Sequence, residues 1–311
     1  MMVCDTILRP VPDDILEKDA ISIEKPVITT GGDALNVAVG SSKLGLQVTV
    51  AGRIADDLNG RFIRQVCDRN RINTAGLVND VEHGTACSYA LIDRNGERHF
   101  LSSREIFHAL SCADISDELI KNSDAVYFGS VMCMKKMDEG GIADVFERAH
   151  KFGKLTVMDA AVNNDFPQRD WMKYLEPVFS ETDIFFPSID ELKYMTGISN
   201  PEEAVEIFRP FHMKYFGVKL SSKGCYVTDF GKGEYIRSAK INRIADTDGA
   251  GDSFMAGLIC AVSHNMDIFH ACKFASCVAG KNVESYGGTE GIPGYEEALK
   301  LLEKYDKDQK I

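Results

Sequence analysis

The chain has 311 residues, 44% of them hydrophobic, which is enough for a large buried core and excludes a disordered chain. A formal net charge of -12 and a pI near 5.1 exclude a general nucleic-acid surface and a polybasic membrane patch, leaving a small molecule as the expected partner. Nine cysteines without a C-x-x-C pair read as free thiols rather than zinc ligands or disulfides, and no apolar run nears the roughly 18 residues of a membrane span, so a cytoplasmic protein is expected.

In chain order, residues 1–10 read as the end of a buried strand with an acidic residue, Asp5, set inside it. Residues 11–30 are polar and β-branched and end in Val27-Ile-Thr-Thr30, a short strand of a small sheet. The pair Gly31-Gly32 then delivers the chain into a helix running to about Leu44, with Asp33 and Asn36 three apart on its polar face. Two glycines and an Asn in a first helical turn are poor helix formers, which favours a ligand-contacting turn over a plain cap. Gln47–Gly52 reads as a strand, and Asp56–Asn59 caps a helix through Arg69. Residues 84–102 alternate around Asn95-Gly96, a hairpin signal, and with the 11–30 segment they could form a small separate sheet placed as a lid.

From Asp124 onward the rhythm is regular: strand at 125–128, helix at 141–152, strand at 155–159, strand at 184–186. That alternation predicts a mostly parallel central sheet with helices on both faces, and Asp159 falls at the strand edge where ligands bind in such sheets. Ser188 and Glu191 open the next helix, either as a capping box or with Glu191 organising magnesium through water. A strand over 215–220, the turn Ser221–Gly224 and a strand over 225–228 follow; Lys223-Gly224 suits either a hairpin or a nucleotide phosphate.

The segment Asp246-Thr-Asp-Gly-Ala-Gly-Asp252 precedes the apolar helix Ser253–Val262. Glycines before a helix bring free N–H groups to an anion, and the helix dipole is expected to keep Asp252 ionised beside a bound phosphate. Glycine amides that steady developing charge, with a carboxylate that takes the proton of an attacking hydroxyl, are the parts phosphoryl transfer needs. Read blandly, the same residues are an acidic loop with a cap. Helices over 268–280 and 295–304 complete the chain.

Gly31-Gly32 with Asn36, the segment Pro187–Glu191, the strand and turn Val218–Gly224, and Asp246–Asp252 occur in an order that resembles the ribokinase-like, or PfkB-type, carbohydrate kinases over essentially the whole chain. The resemblance implies one kinase domain over residues 1–311, a three-layer α/β sandwich with a small β-sheet lid from segments near 11–30 and 84–102. It implies ATP-dependent phosphorylation of a sugar hydroxyl, with Asp252 as base and Gly249, Ala250 and Gly251 as the anion hole. Asp5, Gly32, Asp33 and Asn36 would contact the sugar. Ser188, Glu191, Ser221, Lys223 and Gly224 would lie along the nucleotide, with Glu191 holding Mg2+ through water and a monovalent cation such as K+ as an accessory ion. Ser188, Ser221 and Asp248 depart from the family's usual Asn, Gly and Thr or Val. The expected substrate is an unphosphorylated monosaccharide, a ketohexose or pentose. A nucleoside kinase, or a keto-deoxy-gluconate kinase using Arg94, Arg98 or Arg104, is the alternative within the fold; an inactive sugar-binding regulator is the alternative outside it. A homodimer joined through its lids is expected, because a small sheet with open edges is poorly stable alone.

Overall fold

The computed structural model describes residues 1–95, 97–162 and 169–308. The chain opens with β1 (Val3–Leu8), β2 (Val27–Gly31), α1 (Asp33–Lys43), β3 (Thr49–Ile54), α2 (Leu58–Arg69) and β4 (Asn73–Asn79), then strands β5 (Cys87–Ile92) and β6 (Arg98–Ser103). Two short helices, α3 (Glu105–Ala109) and α4 (Asp117–Lys121), lead into β7 (Ala125–Val131), α5 (Ile142–Lys151) and β8 (Leu155–Ala160). After α6 (Trp171–Tyr174) and α7 (Glu176–Ser180) come β9 (Ile184–Phe185), α8 (Ile189–Thr196), α9 (Pro201–Phe208) and β10 (Tyr215–Lys219). The strands β11 (Cys225–Thr228) and β12 (Gly233–Ile236) and the helices α10 (Ala250–Ser263), α11 (Ile268–Asn282) and α12 (Tyr295–Asp308) end the described chain.

The central sheet has the order β12-β11-β10-β9-β8-β7, with β7 to β10 parallel and β11 and β12 antiparallel. β3 and β4 form a separate parallel pair. Both faces of the sheet are covered, so its inner strands are apolar on both sides along most of their length. Phe185 points into the layer of α5, α7 and α9, whereas Ile184 and Phe186 point toward α10 and α11. The first layer is an aromatic cluster in which the Phe208 and Phe216 rings stack at 4.6 Å and Phe179 meets Phe208 edge-on at 5.3 Å. Each such buried ring contributes about 1.5–3 kcal/mol. α5 faces it with Ile142, Val145, Phe146 and Ala149, the three-and-four spacing of an amphipathic helix. The expected three-layer sandwich is therefore what the chain adopts.

A four-stranded sheet of order β2-β1-β5-β6 stands apart from these layers. β2 comes from the 11–30 segment, and β5 and β6 come from the alternating segment that begins at residue 84. β1, which reads in sequence as a core strand, is an interior strand of this sheet, antiparallel to β2 and parallel to β5. Residues 11–26 supply no strand, only a short 3-10 turn over Ile15–Glu17; Pro10, Pro12 and Pro26 cannot donate to a ladder. Gly96 of the expected hairpin turn lies outside the described residues, as does the side chain of Arg98; the strands beside the turn are joined by the Asp93 N–H donating to the Glu97 carbonyl at 3.0 Å.

Candidate active site

The C-terminal ends of β7, β8 and β10 and the N-termini of α1 and α10 bring one cluster of polar side chains together. α1 starts at Asp33 because Gly32 takes a φ of 79°, and α10 starts at Ala250 because Gly249 takes a φ of 67°. A Cβ on Gly249 would lie 2.0 Å from the Gly288 carbonyl oxygen, so the loop after α11 packs directly on the turn before α10. Asn282, wholly buried, fixes that loop: its Nδ2 donates to the Gly288 carbonyl at 2.8 Å and its Oδ1 accepts from the Gly291 N–H at 2.9 Å.

Asp252 sits in the first turn of α10, and its Oδ2 accepts from Asn36 Nδ2 at 2.8 Å. Two residues 216 apart in sequence are thereby joined. Burial pushes the Asp252 carboxyl up to about 6, with the charge of Asp33 adding to it and Asn36 and Lys219 opposing. At about 6 the carboxyl is still mainly ionised at neutral pH, as expected of an aspartate at a helix start, and it sits in the range that suits a general base.

Asp33 turns toward β7. It accepts from the Ala34 N–H at 2.8 Å, from the backbone nitrogen of Met1 at 2.7 Å and from the Ser130 hydroxyl. Gly129 makes room, since a Cβ there would come 2.3 Å from Asp33 Oδ2 and 2.7 Å from the Tyr127 hydroxyl. The Tyr127 hydroxyl and Asn36 Oδ1 are buried with no hydrogen-bond partner among the described residues. Asp5 lies in β1 between Thr29 and Ser88, with its carboxylate over Gly31, where a Cβ would approach to 2.0 Å. Burial pushes it up to about 7, Asp248 adds to the rise and Arg104 opposes it. Arg104, just after β6, and Asp248, in the loop before α10, therefore act on one carboxylate.

Ser188 and Glu191 form the capping box of α8: the Glu191 N–H donates to Ser188 Oγ at 3.3 Å and the Ser188 N–H donates to the Glu191 carboxylate. Ser221 adopts a φ of 54°, a left-handed conformation that explains the glycine usual at this position, and Gly224 closes the turn with a φ of 95°. Ser221, Lys223 and Gly224 make an exposed or half-exposed turn between β10 and β11. Sequence reasoning missed Lys219. Its ammonium ion-pairs with Asp159, both groups are buried, and a Cβ on Gly251 would lie 3.9 Å from its Nζ. Burial pulls the ammonium down, but Asp159 and Glu191 more than offset this, and its pKa is raised. Asp159 at a strand end was the available signal, whereas Lys219 is 60 residues away from it.

Glycine amides at a helix start, a half-buried carboxylate raised toward the range of a base and a second raised carboxylate on β1 are thus set on an α/β sandwich. The chain belongs to the pfkB family of carbohydrate kinases, whose model matches residues 4–294, and is a phosphotransferase acting on a sugar. It is 28% identical over 288 residues to fructokinase-1 of Oryza sativa subsp. japonica, covering 88% of each chain. It is 25% identical over 308 residues to the 5-dehydro-2-deoxygluconokinase of Bacillus subtilis, covering 93% of each. Its fold matches that of the Xylella fastidiosa fructokinase with bound ATP at a TM-score of 0.85 and 19% identity, over 98% of this chain and 97% of the other.

Proposed function

We propose that the protein transfers the γ-phosphoryl group of ATP to a primary hydroxyl of an unphosphorylated monosaccharide, a ketohexose or pentose. The carrying observation is Asp252, half-buried in the first turn of α10 beside Gly249, Ala250 and Gly251, with Asn36 Nδ2 on one carboxylate oxygen. The other oxygen is left to take the hydroxyl proton while the amides at the helix start meet the phosphoryl oxygens. Asp5, Gly32, Asp33 and Asn36 line the sugar side; carboxylates and an amide suit a polyol whose hydroxyls donate. Ser188, Ser221, Lys223 and Gly224 are assigned to the nucleotide side. Glu191 is assigned to the metal: its charge acts on Asp159 and Lys219, so it faces the same pocket, and a carboxylate there fits a hydrated Mg2+. Mg2+ would offset the charge of the nucleotide phosphates.

A monovalent cation such as K+ is assigned beside Asp246, whose two oxygens accept from the Asp248 N–H at 3.1 Å and the Gly287 N–H at 3.3 Å, tying the two loops together. Activity in potassium against choline salts tests that assignment. The β2-β1-β5-β6 sheet is assigned as a lid and as the contact of a homodimer. Nine free cysteines suit a reducing, cytoplasmic compartment, and among the described residues no helix is long and apolar enough to cross a membrane.

A sugar acid is the second reading, favoured by the positive charge of Arg104 acting at Asp5 and by the Bacillus subtilis relative. ADP release with fructose, ribose, keto-deoxy-gluconate and fructose 1-phosphate separates the readings. A kcat/KM highest for fructose or ribose is expected; one highest for the phosphosugar overturns the assignment of the pocket.

A further inference from the structure

We infer that Lys219 is a further catalytic residue, which carries positive charge to the transferring phosphoryl group, and that Asp159 is the positioning residue that holds it there. The inference deepens the proposed phosphoryl transfer and rests on it. Lys219 is the last residue of β10 and Asp159 lies one residue before the end of β8, so the two parallel strands present them at the same edge of the sheet. The side chains are 14% and 5% exposed. A buried ion pair is no efficient way to stabilise a core, because an apolar pair of similar size does as well or better. Its place supplies the other reason. Lys219 Nζ stands against Gly251, on the side of α10 whose first-turn amides form the anion hole, and Asp252 and Glu191 are near enough for their charges to act on it.

The chemistry asks for such a charge. The sugar oxygen attacks the γ-phosphorus, the bond from that phosphorus to the oxygen bridging it to the β-phosphate breaks, Asp252 receives the hydroxyl proton and ADP departs with the electron pair. Negative charge on the peripheral oxygens is met by the glycine amides, which are neutral dipoles. An ammonium beside them, charged before the nucleotide arrives and fixed by Asp159, stabilises the transition state without having to be reordered. The Lys219 proton stays on the lysine throughout.

Three variants test this: Lys219→Met, Lys219→Arg and the double variant Lys219→Met/Asp159→Leu, which replaces the buried pair by apolar groups. Lys219→Met is expected to lower kcat by ~10²–10³-fold, the scale for one lost donor at a developing charge, with KM for the sugar within about threefold of the parent. In calorimetry without sugar, it should lose roughly tenfold or more in affinity for a non-hydrolysable ATP analogue and much less for ADP, which lacks the γ-phosphate. The double variant should regain the parental Tm yet keep the low kcat, and Lys219→Arg should recover part of the activity. A double variant that regains kcat together with Tm, or a Lys219→Met variant that binds the analogue and ADP with equal losses, overturns the inference and makes the pair structural. A parent with no sugar-dependent ADP release refutes the phosphotransfer reading whatever the variants bind.

Discussion

Asp252 carries two opposed demands: as the proposed base it must be ionised at working pH, and as a half-buried, desolvated group it resists ionisation. Its carboxyl, raised from 3.8 to about 6, contributes stability below pH 3.8, and that contribution is lost as pH rises through about 6. Asp252→Asn therefore removes a desolvated charge at neutral pH; kcat should fall by roughly 10²–10⁴-fold while Tm holds or rises. Parallel steady-state assays and thermal melts check this, and a variant with near-parental kcat would refute the assignment of the base. The same value sets the pH profile. The free enzyme's kcat/KM should fall tenfold per pH unit on the acid side of an inflection at about 6, and an inflection near the ordinary 3.8 would show that Asp252 is not the group titrating. Asp252, its glycines and Asn36 were legible in the sequence because each sits within a few residues of a helix start. Tyr127, Ser130 and Lys219 were not, because they look like ordinary strand residues until β7 and β10 are laid beside the two helix starts.

At the scale of elements, the packing that aims the strands is as informative as the site. Phe179, Phe185, Phe208 and Phe216 form one wholly buried group on the face of β9 and β10 away from α10. Truncating Phe208, which contacts three of the others through ring pairs at 4.6, 5.3 and 5.4 Å, leaves a cavity that stacked rings cannot collapse to fill. Phe208→Ala should cost about 3–5 kcal/mol, read from denaturant midpoints with the m-value unchanged, and a loss under about 1 kcal/mol would mean that the cluster is loosely packed. The helices α1, α2, α5, α8, α10 and α11 were readable from caps and periodicity; Asp57 caps α2 by accepting the Gly60 N–H at 2.7 Å. The strands β4 and β12 and the short helices α3, α4, α6 and α7 were not. β4 is Asn73-Thr-Ala-Gly-Leu-Val-Asn79, too poor in alternation to announce a strand; it is held by pairing with β3, and its Gly76 fits against the Val50 carbonyl.

Across the whole molecule the layers of the central fold follow from the α/β rhythm, but the position of β1 does not, because a short strand such as Val3-Cys-Asp-Thr-Ile-Leu8 serves a core sheet or a separate small sheet equally well. Pairing decides it: Asp5 lies between Thr29 and Ser88, so its side chain and that of Thr6 leave opposite faces of the lid sheet. On the face opposite Asp5, Ile28, Thr6, Tyr89 and Leu101 lie side by side across all four strands. Ile28 is 56% exposed, Tyr89 43% and Leu101 61%. A row of this kind on a sheet with two open edges is expensive to leave in water and easy to pair with a copy of itself. The proposed homodimer follows: the lid that presents Asp5 on one face joins its partner through the other. Ile28→Lys combined with Leu101→Lys should shift sedimentation at micromolar concentration from dimer to monomer. Loss of the dimer should also raise KM for the sugar more than it lowers kcat, since Asp5 is carried by the lid and Asp252 is not. A parent that sediments as a monomer with full activity would remove the dimer, and a double variant that stays dimeric would move the contact to another surface.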